Sequence, residues 1–182
     1  MVEERVRFFS GGKLDVAGLF PGVDIDKTFG DLISLAGGSP RELIKLLDTI
    51  VREHDANPER RAEMMDQRSL DAGQDKYASQ TIPAVYEDKY LQQVYRLGKL
   101  EFANKDVQAK FRISDQGARV RIKAWADAGI VRQDGNMPSD AGGKPVNRYV
   151  VADVRVGRII QRGLDERVGG EGVDGDDLGG SD

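Results

Sequence analysis

The chain has no cysteine among its 182 residues, which excludes a disulfide framework, a thiolate metal site and a cysteine nucleophile. It also lacks an apolar run of about 18 residues, the length that a membrane-spanning helix needs. Its first residues, MVEERVRFF, carry acids where a secretory signal carries bases. We therefore expect a cytoplasmic protein that makes no membrane contact.

The motifs of phosphoryl transfer are missing as well. The sequence contains no G-x-x-x-x-G-K-[ST] segment and no apolar strand that ends in a magnesium-binding acid. His54 is the only histidine, so a metal site would need carboxylates alone. We expect no catalytic residue, no metal and no cofactor bound by this chain alone, and therefore no enzyme on its own.

Charge is distributed unevenly along the chain, whose formal net charge is -4. Residues 104–148 contain nine Lys and Arg against five Asp and Glu, a local net charge of +4. Residues 163–182 contain one base against seven acids, a local net charge of -6. A basic segment inside an acidic protein indicates contact with nucleic acid, although a solvated face of mixed charge is the commoner cause of such an excess.

Helical spacing predicts a small helical domain over residues 1–80. A first helix, which Asp26 or Thr28 can cap, has an apolar face formed by Phe29, Leu32, Ile33 and Ala36. A second helix starts after Ser39, with Pro40 in its first position and Glu42 completing a capping box. Its broad apolar face comprises Leu43, Ile44, Leu46, Leu47 and Ile50. A polar connector, a helix over about 69–80 and a hinge at 81–83 follow.

The order of helix and strand patterns predicts a winged helix-turn-helix domain over residues 84–162, in which the winged helix itself covers residues 84–152. Helices are expected over 86–97, from Asn104, and from the capping residue Ser114 to Gly129, the last with Ala118, Ile122 and Trp125 facing inward. A strand that starts at 130–131, a loop over 134–145 and a partner strand over 148–152 would form the wing. A short helix to residue 162 and a disordered acidic tail over 163–182 complete a mainly α fold with a small β-wing.

A helix-turn-helix places its second helix in the major groove of duplex DNA. The residues expected to contact DNA are Ser114, Gln116, Arg119, Val120, Lys123, Lys144 and Arg148. Gln116 and Arg119 have side chains suited to base edges, and Ser114 stands at a helix start that can take a phosphate. Two positions depart from the usual motif: Arg112 occupies the turn where glycine is usual, and Gln108 stands where a small alanine usually packs.

The segment LAGGSPRELIKLL, residues 35–47, resembles the Gly-x-Pro-Arg sensor segment in the helical lid of AAA+ and STAND-type P-loop ATPases. The resemblance implies a nucleotide-sensing role for Arg41, the matching arginine, and a winged helix after the lid. Because the Walker motifs are missing, the chain resembles the C-terminal part of such an ATPase. ATP would then be bound only with a partner chain or domain that carries the P-loop. The alternative for this segment is a helix cap with an exposed arginine.

Three functions therefore stay open at the level of sequence. The chain is a DNA-binding or regulatory module, with duplex DNA as its partner. Alternatively, it is the lid half of a split ATPase that a P-loop partner completes, or a protein-protein adaptor that uses the winged helix.

Overall fold

The computed structural model describes residues 4, 7–8, 11–13, 18, 20–59, 64–138 and 145–164. The chain divides into two compact units, residues 1–85 with 154–158 and residues 86–153 with 159–182. The described residues are mainly helical and include one small antiparallel sheet, which confirms the expected fold class. The expected domains over 1–80 and 84–162 stay a prediction. Of the tail over residues 163–182, expected to be disordered, the amides of Gly163 and Leu164 donate to the carbonyls of Ile160 and Ile159, and residues 165–182 lie outside the described residues.

Between residues 20 and 85, the described part of the first unit contains three α-helices and one short 3₁₀ helix. They are α1 (Ile25–Leu35), α2 (Pro40–Asp55), α3 (Gln67–Thr81) and the 3₁₀ helix Ile82–Ala84. The cap of α1 is Asp24, whose Oδ1 accepts a hydrogen bond from the amide of Lys27 at 3.1 Å. The expectation of Asp26 or Thr28 as the cap was wrong, because the helix begins before both residues and buries Thr28.

The start of α2 follows only half of the expected capping box. Ser39 Oγ accepts a hydrogen bond from the amide of Glu42 at 3.4 Å. The Glu42 carboxylate does not return this bond, since it accepts from Lys45 Nζ at 2.6 Å and from the Tyr77 hydroxyl on α3 at 3.0 Å. The Glu42 carboxylate therefore links α2 to α3 instead of accepting a hydrogen bond from the amide of Ser39.

The core of the first unit lies among α1, α2 and α3. It consists of Phe20, Leu32, Leu35, Leu46, Ile50, Leu70 and Tyr77. Helices α2 and α3 come unusually close at Gly73, where an added Cβ would lie 2.4 Å from the Cα of Ile50. Two residues expected in the core, Ile33 and Ile44, are instead 47% and 65% exposed. The apolar stripes of α1 and α2 are therefore wider than the surfaces they bury.

Helix α7 (Val154–Gln161) begins in the first unit. Its Arg158 donates from Nε to Asp75 Oδ1 at 2.7 Å and from Nη1 to Gln74 Oε1 at 3.1 Å. Its Nη2 donates to the carbonyl and the carboxylate of Asp71, each at 3.2 Å. The guanidinium therefore binds three residues of α3, namely Asp71, Gln74 and Asp75.

The second unit has the order helix, strand, helix, helix, strand, strand. Its elements are α4 (Asp88–Leu97), β1 (Glu101–Phe102), α5 (Asn104–Phe111), α6 (Asp115–Asp127), β2 (Val131–Met137) and β3 (Val146–Val151). The sheet order is β1-β3-β2, and both pairings are antiparallel. Strand β1 was not expected from the sequence. Residues 139–144 between β2 and β3 lie outside the described residues.

Trp125 on α6 is at the centre of the second unit and is fully buried. Its Nε1 donates to Gln93 Oε1 on α4 at 2.9 Å, and the rings of Phe102 and Phe111 meet it edge-on. Ala118 and Ile122 are buried with it, so the inward face expected for this helix is confirmed.

None of the described helices combines the length and apolar content of a membrane span.

Candidate nucleic-acid interface

The start of α6 is fixed by its capping residue. Ser114 has extended backbone, and its Oγ accepts a hydrogen bond from the amide of Gly117 at 3.1 Å. Its carbonyl accepts the first helical bond, from the amide of Ala118. The hydroxyl proton of Ser114 is not used by the cap, so it can still be donated to an anion at the helix start.

The outward face of α6 is exposed to solvent over two turns. Gln116, Arg119 and Lys123 are exposed, and Val120 in their midst is 58% exposed. These residues lie opposite the buried Ala118, Ile122 and Trp125 because α-helical geometry repeats every 3.6 residues. The structure thus brings together four of the seven residues expected to contact DNA.

Both cations on this face have an acidic partner on the same helix. Arg119 Nε lies 2.8 Å from Asp115 Oδ2, and Lys123 Nζ contacts Asp127 Oδ2 in the same i,i+4 spacing. Such exposed pairs contribute only about 0.3–0.5 kcal/mol, so a phosphate can replace the carboxylate at small cost. The two acids leave the face without net charge. Sequence reasoning overlooked these acids, although their four-residue spacing was visible.

Arg148 is bound within the sheet. Its Nε donates to the carbonyl of Asp134 at 2.7 Å and its Nη2 donates to the Asp134 carboxylate at 2.6 Å, which joins β3 to β2. Its Nη1 is 3.7 Å from Glu101 Oε2 on β1. A DNA contact by this half-buried side chain stays a prediction, and it would require the side chain to leave Asp134. Lys144, expected beside it, lies outside the described residues.

The turn from α5 to α6 is held in place by contacts between side chains of the helices that precede and follow it. Gln108 Nε2 donates to Asn104 Oδ1 at 2.8 Å and lies 3.4 Å from Asp115 Oδ1, so this residue links α5 to α6. Phe111 carries Arg121 over its ring at 4.4 Å and Arg96 at 5.6 Å. These cation–π contacts were not expected from the sequence, because α4, α5 and α6 each supply one member.

Asp106 fixes the start of α5. Its Oδ2 accepts the amide proton of Ala103 at 2.7 Å, and its Oδ1 contacts the ammonium of Lys99. Burial raises the pKa of the Asp106 carboxyl, but the Ala103 amide and Lys99 outweigh this effect and hold the pKa below its ordinary value. The carboxylate therefore anchors the start of α5 to the segment between α4 and β1.

Arg41, the residue singled out by the ATPase resemblance, is exposed in the first turn of α2. Next to it, hydrogen bonds from Lys45 and then Tyr77 lower the pKa of the Glu42 carboxyl, to which Arg41 adds a weaker electrostatic contribution. The nucleotide-sensing role of Arg41 stays a prediction, since it needs phosphates that another domain would hold.

His54 belongs to a structural network at the end of α2. Its Nδ1 lies 2.9 Å from Ser69 Oγ, and Ser69 Oγ donates to Asp66 Oδ1 at 2.9 Å. Ser69 is 1% exposed and stands between the other two residues, so the network joins α2 to the start of α3 and leaves no accessible nucleophile. Across the described ranges, no group of three or more His, Asp or Glu residues is placed to hold a metal ion.

Comparison of the chain with protein-family models, with curated proteins and with solved structures finds no match.

Proposed function

We propose that residues 86–153 form a winged helix-turn-helix that binds duplex DNA through the outward face of α6. The observation that carries this proposal is the exposure of Gln116, Arg119, Val120 and Lys123 opposite a fully buried face of the same helix. A helix anchored by a buried tryptophan and exposed along two turns has the geometry of an element that enters the major groove.

The order of elements supports the same proposal. In a winged helix-turn-helix, three helices are followed by an antiparallel pair of strands, and the third helix reads the DNA. Here α4, α5 and α6 precede β2 and β3, and the short β1 adds to the edge of β3. The α5–α6 turn is short, since only residues 112–114 separate the two helices.

The side chains on α6 fit the chemistry of a duplex. Arg119 and Lys123 can exchange their carboxylate partners for phosphates, and Gln116 can make two hydrogen bonds to an adenine edge. Val120 can contact the methyl group of a thymine. The expected partner is therefore duplex DNA.

The test is a titration of a labelled duplex of about 20 base pairs with the full chain, followed by fluorescence anisotropy at about 50 and 200 mM salt. The parent protein should bind, with an affinity that falls as salt rises. The double variant Arg119→Ala/Lys123→Ala should bind more weakly, and its slope of log affinity against log salt should be smaller by about 0.9 per lost phosphate contact.

The matched control is Lys45→Ala/Arg52→Ala on α2. Lys45 pairs with Glu42 and Arg52 with Asp48, so this variant also removes one lysine and one arginine from exposed pairs within a helix. It should bind the duplex as the parent does. If both double variants lose the same affinity, binding reflects overall charge and the assignment to α6 is wrong.

One observation favours a protein-protein adaptor as the second candidate. The charges of Asp115, Arg119, Lys123 and Asp127 cancel, and Val120 adds an exposed apolar group among them. A face without net charge and with one exposed apolar side chain can form the polar rim of a protein–protein interface. Absence of duplex binding by the parent at low salt would favour this function.

A further inference from the structure

The turn between α5 and α6 contains the single non-glycine residue with left-handed backbone in the part of the chain that the structure describes. Arg112 has a φ of 54° and a ψ of 43°. Its amide donates to the carbonyl of Gln108, and the amide of Ile113 donates to the same carbonyl at 3.3 Å. These bonds close α5 in the way that helices end at a left-handed residue, which is usually glycine.

Glycine would satisfy this backbone better than arginine does. A Cβ crowds the neighbouring carbonyl in the left-handed region, whereas glycine adopts it without that penalty. Both hydrogen bonds to Gln108 come from the main chain, so glycine would keep them. The backbone therefore does not account for an arginine at this position.

The guanidinium of Arg112 is exposed and has no hydrogen bond, ion pair or ring contact with the described residues. Its neighbours differ in this respect. Arg96 and Arg121 contact the Phe111 ring, and Arg119 contacts Asp115. Binding of an anion by Arg112 would therefore break no contact within the described part of the chain.

Arg112 also lies beside the N-terminal end of α6, which is the end that enters the major groove when a helix-turn-helix binds a duplex. It stands two residues before the capping residue Ser114. When a helix-turn-helix docks, the first residues of its second helix reach the base edges, and the phosphates of the flanking strand lie beside that helix start. A guanidinium at this place matches a phosphate in charge and in hydrogen-bond geometry.

We propose that Arg112 binds a backbone phosphate of duplex DNA beside the start of α6, and that this contact explains an arginine in a turn that favours glycine. The proposal rests on the function proposed above. It adds a residue that sequence reasoning noted only as a departure from the usual motif.

The test compares Arg112→Gly with the parent in two measurements on the full chain. The midpoint of thermal unfolding should stay unchanged or rise, because glycine relieves the crowding at this φ. The affinity for the labelled duplex should fall about fivefold at low salt, with a slope against log salt smaller by about 0.9. Arg112→Lys should keep most of the affinity, since it keeps the charge.

The matched control is Arg68→Ala, which removes one exposed arginine from α3 and should leave duplex binding unchanged. Duplex affinity equal to the parent in Arg112→Gly would overturn the contact while leaving the function proposed for α6 intact. A lower unfolding midpoint in Arg112→Gly would also overturn it, because Arg112 would then act through the fold. If the parent does not bind duplex at all, the function proposed for α6 fails and this contact fails with it.

Discussion

Two pairs of helices, α2–α3 in the first unit and α5–α6 in the second, use their polar side chains differently. Between α2 and α3, Tyr77 binds Glu42 and His54 binds Ser69, so side chains fix one helix against the other. The bridge from Gln108 on α5 to Asp115 on α6 is longer, at 3.4 Å. On α6, Arg119 and Lys123 instead point outward, each beside an acid of its own helix.

The side chains between α2 and α3 hold two helices together, whereas Arg119 and Lys123 on α6 are accessible to a ligand. A polar group buried between helices must be paired, because an unpaired one costs about 1–3 kcal/mol. An exposed pair such as Arg119–Asp115 contributes far less, so a ligand can replace one of its partners at small cost. Helix α2 also carries exposed pairs, Lys45–Glu42 and Arg52–Asp48, so the case for recognition by α6 rests on its place after the short α5–α6 turn.

The largest effect is expected at the close approach of α2 and α3. Gly73→Ala should destabilise the protein by about 1–3 kcal/mol, because the new Cβ would overlap Ile50. Urea unfolding followed by circular dichroism measures this loss. The matched control is Gly30→Ala on α1, where nothing lies within 4 Å of the new Cβ. That variant should gain about 0.5–1 kcal/mol, since alanine favours a helix. Equal effects of the two substitutions would contradict the close packing.

A smaller and pH-dependent effect is expected at the start of α5. Because the pKa of Asp106 is lowered in the folded protein, its carboxylate stabilises the fold fully above the ordinary value of 3.8 and loses that contribution as pH falls through the folded value. Asp106→Asn keeps an oxygen for the Ala103 amide but loses the charge. It should cost about 1 kcal/mol at neutral pH, and this cost should shrink at acidic pH as the pH falls below 3.8 and through the lowered pKa of the folded protein. If the variant loses the same stability at neutral and at acidic pH, the charge of the Asp106 carboxylate does not contribute, and the loss comes from changed packing or hydrogen bonding.

The smallest effect on stability is expected from the acids beside the α6 cations. The double variant Asp115→Asn/Asp127→Asn should lose about 0.3 kcal/mol per pair, which in total is less than the loss expected for Asp106→Asn. It should bind duplex DNA about fivefold more tightly at low salt, because two negative charges near the phosphates are removed. Anisotropy titration against the parent measures this gain. Tighter binding would support a DNA interface on α6 that includes these two acids. Unchanged or weaker binding would place the acids outside the interface.

The sequence predicted the parts of the fold that local rules determine. The inward face of α6 follows from helical spacing, and its start follows from Ser114, a capping residue before the apolar pattern. The cap of α1 was missed because Asp24, Asp26 and Thr28 all offer acceptors within five residues. Strand β1 was missed because two residues carry no periodicity, and only its pairing with β3 defines it.

The candidate site was predictable in composition and less so in its electrostatics. Spacing placed Gln116, Arg119, Val120 and Lys123 on one exposed face. The capture of Arg148 by Asp134 depends on the pairing of β2 with β3, which brings residues 14 positions apart into contact. The left-handed backbone of Arg112 is likewise a product of how α5 meets α6, and no local preference of arginine predicts it.

The most direct test of the proposed function is a titration of the ¹⁵N-labelled full chain with duplex DNA, followed by amide chemical shifts. We predict that the amides of Gln116, Arg119, Val120 and Lys123 shift as duplex is added, and that added salt reverses the shifts. The amides of Lys45 and Arg52 on α2, which carry the same kind of exposed pairs, should stay in place. Shifts confined to α2, or no shift at low salt, would contradict the assignment of DNA binding to α6.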